Sequence, residues 1–422
     1  MHFKGLIFVL DGLGDRPSPV LDGQTPLEAA HTPNLDRLAA HGQTGLMDPL
    51  VPGLPVDTHT GVAMIFGLSP KDAVVLSRGP IEAAGIDLEL QHGDILLRSN
   101  LATVERHNNG FSIIDRRAGR IQEGVEVLCQ SLREVSLGGN VVASLHPATQ
   151  HRTVLRLRGF GLSEAITDTD PGSKSIDRGV LQSHARISND TAAQLTAQAI
   201  NQFVIESHNI LDKHPVNRDR RKRGLPPANA VISRGAGSYR PAKNLLNQLE
   251  LKVSTVAGES TILGLAKLFG FSAISSDRFT SLPDTDIEGK VQAANESLSN
   301  HDLAFVHLKG TDTAAHDLNP ELKRDFIERF DRSLGTIDTD NLVVGVCADH
   351  STDSIRGDHN GDAVPVLLYN PEGRRDTAQA YSETACTVGA LTRVTAQGFL
   401  MNALDAMGSM SNYSSMDLDF LD

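Results

Sequence analysis

Short apolar runs, each closed by a polar turn, recur along this chain. Lys4-Gly-Leu-Ile-Phe-Val-Leu10 ends at Asp11 and a glycine-rich turn. Leu303-Ala-Phe-Val-His-Leu308 leads to Lys309 and Asp312, and Leu342-Val-Val-Gly-Val-Cys347 leads to Asp349-His350. Ala363-Val-Pro-Val-Leu-Leu368 follows directly behind His359. Continuous runs of this length bounded by turn residues predict buried strands. Helices are predicted between them. Thr32 caps one, with Pro33 in its first turn, Leu35, Leu38 and Ala39 on one face, and Gly42 at its end. A second runs from about Glu321 to Leu334, with Phe326, Phe330 and Leu334 at helical spacing, and Gly61 to Phe66 reads as a short third. Apolar strands alternating with helices predict an α/β fold, a mostly parallel sheet flanked by helices. In such sheets functional groups collect past the carboxyl ends of strands.

The middle of the chain has a different texture. Gly110-Phe-Ser-Ile-Ile114, Val141-Val-Ala-Ser-Leu145 and Thr153-Val-Leu-Arg-Leu157 are short alternating runs with few ligand-like clusters. Residues 105–195 are therefore expected to form a smaller inserted α/β domain, with 1–104 and 196–407 forming the core. The basic stretch Arg218 to Gly224 reads either as a solvated helix end or as part of an anion site. The Ser- and Asp-rich tail, 408–422, is expected to be poorly ordered.

Composition narrows the class. A chain of 422 residues with 40% hydrophobic and 22% charged residues is ordinary for a globular enzyme of about two to three domain-sized units. Its formal net charge of −13 argues against a nucleic-acid or anionic-membrane partner. An anionic substrate must then be met by metals and a local basic pocket. Cys129, Cys347 and Cys386 form no C-x-x-C pair, so neither a disulfide framework nor a cysteine zinc site is expected. The N-terminal run is too short for a signal peptide, and no apolar stretch approaches membrane-spanning length. The expected location is the cytoplasm.

Seven residues carry the candidate chemistry: Asp11, Thr58, Asp312, His316, Asp349, His350 and His359. Carboxylates and imidazoles in this mixture suit Mn²⁺, with Zn²⁺ or Mg²⁺ as alternatives. Asp312 and His316 sit one helical turn apart on one face. Singly, each motif is weak, since a D-x-x-x-H pair also describes a helix cap beside a surface histidine. Three acids at equivalent strand ends, with histidines among them, point instead to two divalent metal ions that activate an oxygen nucleophile and neutralise a phosphate. Thr58, near the start of the short helix, is the candidate nucleophile, although a threonine there also reads as a helix cap. Lys309 is placed to meet a phosphate oxygen.

The chain resembles a known family, the archaeal-type cofactor-independent (2,3-bisphosphoglycerate-independent) phosphoglycerate mutases of the alkaline phosphatase superfamily. The resemblance runs through Leu10-Asp-Gly-Leu-Gly-Asp-Arg-Pro17, Gln24-Thr-Pro-Leu-Glu-Ala-Ala30 and Thr32-Pro-Asn-Leu-Asp36. It continues through Arg78-Gly-Pro80 with Glu82, Asn100-Leu-Ala-Thr103, Asp115-Arg-Arg-Ala-Gly-Arg120 and Thr167-Asp-Thr-Asp-Pro171. His214-Pro-Val-Asn217, Pro226-Pro-Ala-Asn229, Arg234-Gly-Ala-Gly237, Lys309-Gly-Thr-Asp312 and Gly361-Asp-Ala-Val-Pro-Val366 complete it, in preserved order over residues 3–407.

The resemblance implies a core assembled from both ends of the chain around an inserted substrate-handling domain. It implies one metal held by Asp11, Thr58, Asp349 and His350, and a second by Asp312, His316 and His359. The nucleophile would take a phosphoryl group from C3 of glycerate and return it to C2, with Lys309 steadying that group in transit. His151, Arg152, Asp168, Asp170 and Arg234 would bind the glycerate, and domain closure would exclude water.

One segment departs from the family. Where relatives carry a run like Pro-Gly-Ser-Asp-Thr-Ala-His, this chain has Val56-Asp-Thr-His-Thr-Gly-Val62. Thr58 replaces the serine, and its methyl stiffens χ1. Asp57 sets a negative charge beside an incoming anion. The six other metal ligands are kept. Three readings follow: a phosphoglycerate mutase; a divergent mutase or hydrolase acting on another phosphoester or a phosphonate in specialised metabolism; or a non-catalytic binding protein, against which the complete ligand set argues.

Overall fold

Lys4–Leu10 lies at the centre of a sheet, paired in parallel with Leu303–Leu308 on one side and Leu342–Cys347 on the other. Nearly all side chains of these three strands are buried, as the continuous apolar runs require of strands covered on both faces. The computed structural model describes residues 3–410 apart from 109, 149 and 240–243, with backbone alone at 173 and 174. The central sheet has eight strands in the order Ser272–Ile274, Val253–Val256, Leu303–Leu308, Lys4–Leu10, Leu342–Cys347, Val364–Tyr369, Gln43–Asp48 and Thr392–Thr395. It is mostly parallel and flanked by helices.

The exception positions chemistry. Val364–Tyr369 runs antiparallel to both of its neighbours, so its first residue lies at the edge where the parallel strands end. The segment leading into it, including His359, is thereby delivered to the same edge as Asp11 and Asp349. A two-stranded hairpin, Ser351–Asp353 with Asp358–Asn360, completes this arrangement by pairing Thr352 with His359. Gly357 turns the hairpin with a φ of +73°, a backbone conformation that glycine adopts at no steric cost.

The three predicted helices form, as Pro33–His41, Thr58–Ile65 and Pro320–Leu334. Pro33–His41 begins with Thr32 at its cap position, but the threonine side chain makes no capping bond. The cap comes from elsewhere in the sequence. The Asp331 carboxylate, on the helix Pro320–Leu334, accepts from the backbone N–H groups of Asn34 at 3.0 Å and Leu35 at 2.8 Å. Asp331 is 1% exposed, so it satisfies two otherwise orphaned donors and places its charge at the positive end of the helix. Phe330, one residue earlier, packs edge-on against Phe8 of the central strand at 5.1 Å between ring centres.

The chain divides into two compact units, residues 1–76 with 242–422, and residues 77–241. The second unit is larger than the 105–195 expected. The reason is strand pairing: Ile95–His107 bonds to Arg152–Arg158 along one edge and to Ala230–Ser238 along the other. Residues flanking the expected insert thus belong to its sheet. That sheet is antiparallel, in the order Gly110–Asp115, Ile95–His107, Arg152–Arg158, Val142–Pro147 and Val135–Ser136. The helix Thr191–Leu211 contributes Phe203, Ile200 and Leu211 to its core. The basic stretch Arg218 to Gly224 ends the helix Pro215–Lys222. Within it Arg220 is buried and donates to the carbonyls of Pro226 and Ala118, a structural use of the charge. Of the expected tail, residues 411–422 lie outside the described residues. Among the described residues no helix is long and apolar enough to cross a membrane.

Removing the Asp331 cap tests this packing. Asp331→Ala should lower unfolding stability by about 2 kcal/mol, as loss of a buried charged acceptor predicts. Urea unfolding reads this; a change below about 0.5 kcal/mol, the usual range for a neutral surface change, would show that the helix is capped by other means.

Candidate functional site

Each of the three acids reaches one point by a different route. Asp11 follows the central strand, Asp349 follows Leu342–Cys347, and Asp312 sits in the first turn of the helix Gly310–His316, just past Leu303–Leu308. All three are at most 2% exposed. Gly12 allows the tight turn after Asp11 with a φ of +65°, and its N–H donates to Asp349 Oδ1 at 3.1 Å. Gly61 allows a close approach. A Cβ there would stand 2.1 Å from the Asp349 carbonyl oxygen, so only glycine lets the helix Thr58–Ile65 press its first turn against the acids.

Two clusters of ligand atoms result. In the first, His350 Nε2 lies 3.2 Å from Asp11 Oδ1, 3.3 Å from Asp349 Oδ2 and 3.2 Å from Thr58 Oγ1. In the second, Asp312 Oδ1 lies 3.4 Å from both His316 Nε2 and His359 Nε2. The His350 and His359 rings stack between the clusters at 3.7 Å. The seven predicted residues are thus brought together, and His307, which lies within ligand distance of Asp11 and Asp349, joins them.

The donor chemistry fits divalent cations. No hydrogen bond reaches the buried Asp11 Oδ1 or Asp349 Oδ2. His316 Nδ1 donates to the Gly357 carbonyl at 2.6 Å and His359 Nδ1 to the Val56 carbonyl at 2.9 Å. A backbone carbonyl only accepts, so both rings carry their proton on Nδ1 and turn the Nε2 lone pair toward Asp312. Mixed carboxylate and imidazole ligands without thiolate suit Mn²⁺, Zn²⁺ or Mg²⁺.

Electrostatics agree. Burial disfavours the Asp11 carboxylate, but Lys309 and the histidines His307 and His350 outweigh it and hold the group well below the usual range. Burial and the charge on Asp11 push Asp349 the other way, well above that range. Three acids therefore share too little positive charge for all to ionise, which added cations would correct. Lys309 Nζ lies 2.8 Å from Asp11 Oδ2, 2.9 Å from Asp312 Oδ2 and 3.4 Å from Thr58 Oγ1. Burial alone would lower this lysine, yet Asp11, Glu259 and Asp312 raise it, so it remains charged at any working pH. The Asp57 carboxylate, 61% exposed, is screened by water.

The second unit holds the other predicted residues. Arg98 is flanked in the sheet by strands carrying Arg152 and Arg234, with Arg98 directly opposite Arg234. Burial, and the neighbouring charges of Arg152, Arg234 and Arg78 against that of Glu82, push Arg98 down to about 10. Such crowding of guanidinium groups favours an anion among them. Asp170 is committed to a bidentate pair with buried Arg116, at 2.8 and 2.5 Å, and Asp168 accepts from the Gly235 N–H at 2.9 Å. Both also line a cavity of about 580 Å³ with Arg178, His184 and Arg186. His151 is 9% exposed.

Sequence reasoning gave no role to Arg98, Arg116, His307 or Thr352. A lone arginine or histidine inside an apolar run, as in Ile95-Leu-Leu-Arg98 and Phe305-Val-His307, was the available signal.

The chain is similar to known proteins along most of its length. The family profile described as 2,3-bisphosphoglycerate-independent phosphoglycerate mutase matches residues 39–217. A Methanopyrus kandleri protein of that name is 40% identical, over 92% of this chain and 93% of its own length. One from Ignicoccus hospitalis is 39% identical over 98% of each chain. A solved Pyrococcus horikoshii structure superposes with a TM-score of 0.80 at 32% identity, covering 98% of this chain and all of its own. The cofactor-independent phosphoglycerate mutase from Thermoplasma acidophilum gives 0.71 at 29% identity, covering 96% of this chain.

His151 offers a pH test in the second unit. Burial, then the charges of Arg152, Arg117, Arg98 and Arg120, push its imidazole from 6.5 to about 4. A histidine held neutral stabilises the fold above its ordinary pKa, and that contribution is lost as pH falls from 6.5 toward 4. An NMR titration of the His151 ring proton, assigned by comparison with His151→Gln, should show a midpoint near 4. A midpoint near 6.5 would mean that the ring is solvated and the arginines lie elsewhere.

Proposed function

The chain belongs to the 2,3-bisphosphoglycerate-independent phosphoglycerate mutase family, and from that premise we propose that it interconverts 3-phosphoglycerate and 2-phosphoglycerate through a phosphorylated Thr58. The position of Thr58 carries this reading. Its hydroxyl begins a helix, where the dipole favours a negative oxygen, 3.2 Å from His350 Nε2 and 3.4 Å from Lys309 Nζ.

Asp11, Thr58, Asp349 and His350 would hold one divalent cation, and Asp312, His316 and His359 a second, with Mn²⁺ the first choice. When bound, such ions lower the pKa of a ligating hydroxyl and neutralise phosphate charge. Thr58 Oγ1 gives up its proton and bonds to phosphorus as the bond from phosphorus to the C3 oxygen breaks. The C3 oxygen takes up a proton. In the second half the C2 hydroxyl oxygen gives up its proton and bonds to phosphorus, and Thr58 Oγ1 leaves and takes a proton back. No water is consumed, and the proton balance closes.

Lys309 keeps a fixed positive charge beside Thr58 throughout, which stabilises the equatorial oxygens of the transferring group. His151, Arg152 and Arg234, joined by Arg98, would meet the substrate's anionic groups. Asp168 and Asp170 would act by holding the Gly235 backbone and Arg116 in place.

Conversion of 3-phosphoglycerate by Mn²⁺-loaded protein, coupled through enolase, tests the proposal. Thr58→Ala should reduce turnover at least about a thousandfold, as loss of a covalent nucleophile does. Undiminished turnover in that variant would remove Thr58 from the reaction, and release of inorganic phosphate by the unaltered protein would make it a hydrolase.

A further inference from the structure

Thr352 lies between the two ligand clusters and belongs to neither. Its Oγ1 stands 2.9 Å from Asp312 Oδ1, in the second cluster, and 3.0 Å from His350 Nδ1, in the first. The hydroxyl has one proton, and an ionised carboxylate only accepts. The Asp312 carboxylate also takes Lys309 Nζ at 2.9 Å on its other oxygen, and Thr352 Oγ1 is placed as donor to Oδ1. The Thr352 proton therefore goes to Asp312, and the Thr352 oxygen accepts from His350 Nδ1–H. That fixes the His350 tautomer: Nε2 is left bare toward Asp11, Asp349 and Thr58.

The placement is rigid. Thr352 is fully buried. Its N–H donates to the Gly14 carbonyl at 2.9 Å, and its own carbonyl accepts from Lys323 Nζ at 2.9 Å. Lys323 is itself paired with Asp15 at 2.8 Å, and both side chains are wholly buried. A Cβ on Gly12 would come within 2.4 Å of the hydroxyl, so the turn after Asp11 leaves room for that oxygen and little else.

We propose that Thr352 is a positioning residue that couples the two cation clusters, holding His350 in its metal-binding tautomer and Asp312 in its metal-binding orientation through one hydroxyl. This rests on the two-cation reading of the site. Loss of the hydroxyl should weaken both clusters together, because the ligand it orients in each is lost at once. Partners of this kind are worth 10–100-fold in metal affinity.

Thr352→Val keeps the shape and removes the hydroxyl, and Thr352→Ser keeps the hydroxyl and removes the methyl. Calorimetric titration with Mn²⁺ should give two equivalents in the unaltered protein, affinities at least about tenfold weaker at both in the valine variant, and near recovery in the serine variant. Long-range ¹H–¹⁵N NMR of metal-free, ¹⁵N-histidine protein should report His350 protonated on Nδ1, and a changed ring signal in Thr352→Val. Thr352→Ala carries the same comparison should the valine variant fail to fold. Two equivalents bound by Thr352→Val as tightly as by the unaltered protein would overturn the proposal. So would a serine variant as weak as the valine one, or a His350 proton on Nε2. An unaltered protein that binds no Mn²⁺ would instead overturn the two-cation reading, and the NMR result would still decide the role of Thr352.

Discussion

Three carboxylates, Asp11, Asp312 and Asp349, are buried within reach of one another with a single lysine among them. Taking charged groups out of water costs several kcal/mol each unless opposite charge and hydrogen bonds replace the solvent. Lys309 supplies one positive charge, and the backbone N–H of Gly12 a further donor. The remaining deficit appears in the opposed behaviour of the acids, Asp11 held low and Asp349 pushed high. Much of the surrounding architecture serves this arrangement: three parallel strands that end together, one antiparallel strand that starts where they end, a hairpin that folds His359 back onto His350, and a glycine that admits the Thr58 helix.

That site is also why so much was legible beforehand. Parallel strands buried on both faces have a strong local signature, continuous apolar residues followed by a turn, and the first polar residue after each marks the functional edge. Asp11 and Asp349 were found on that basis, as was Asp312 one turn further on, and the structure gathers their partners His316, His350 and His359 beside them.

What escaped the sequence shares one physical property: it depends on pairing between distant segments. Ile95–His107 and Ala230–Ser238 bond to each other across more than a hundred residues, and nothing local in either segment says so. The boundary of the second unit moved for that reason. Thr32 occupies a helix cap, yet Asp331 performs the capping from another helix. Thr352 has no signal of its own in the sequence. Its role appears only when Asp312 and His350, brought from different strands, both lie within 3.0 Å of its hydroxyl. Arg98 likewise gains meaning from Arg234 across the sheet.

We propose that the buried acids are completed by two cations, one in each cluster. Anomalous scattering from crystals grown with Mn²⁺, recorded on both sides of the manganese absorption edge, tests it most directly. Two anomalous peaks are expected, one among Asp11, Thr58, Asp349 and His350 and one among Asp312, His316 and His359. A map without peaks at these residues, or with one peak alone at saturating Mn²⁺, would contradict it.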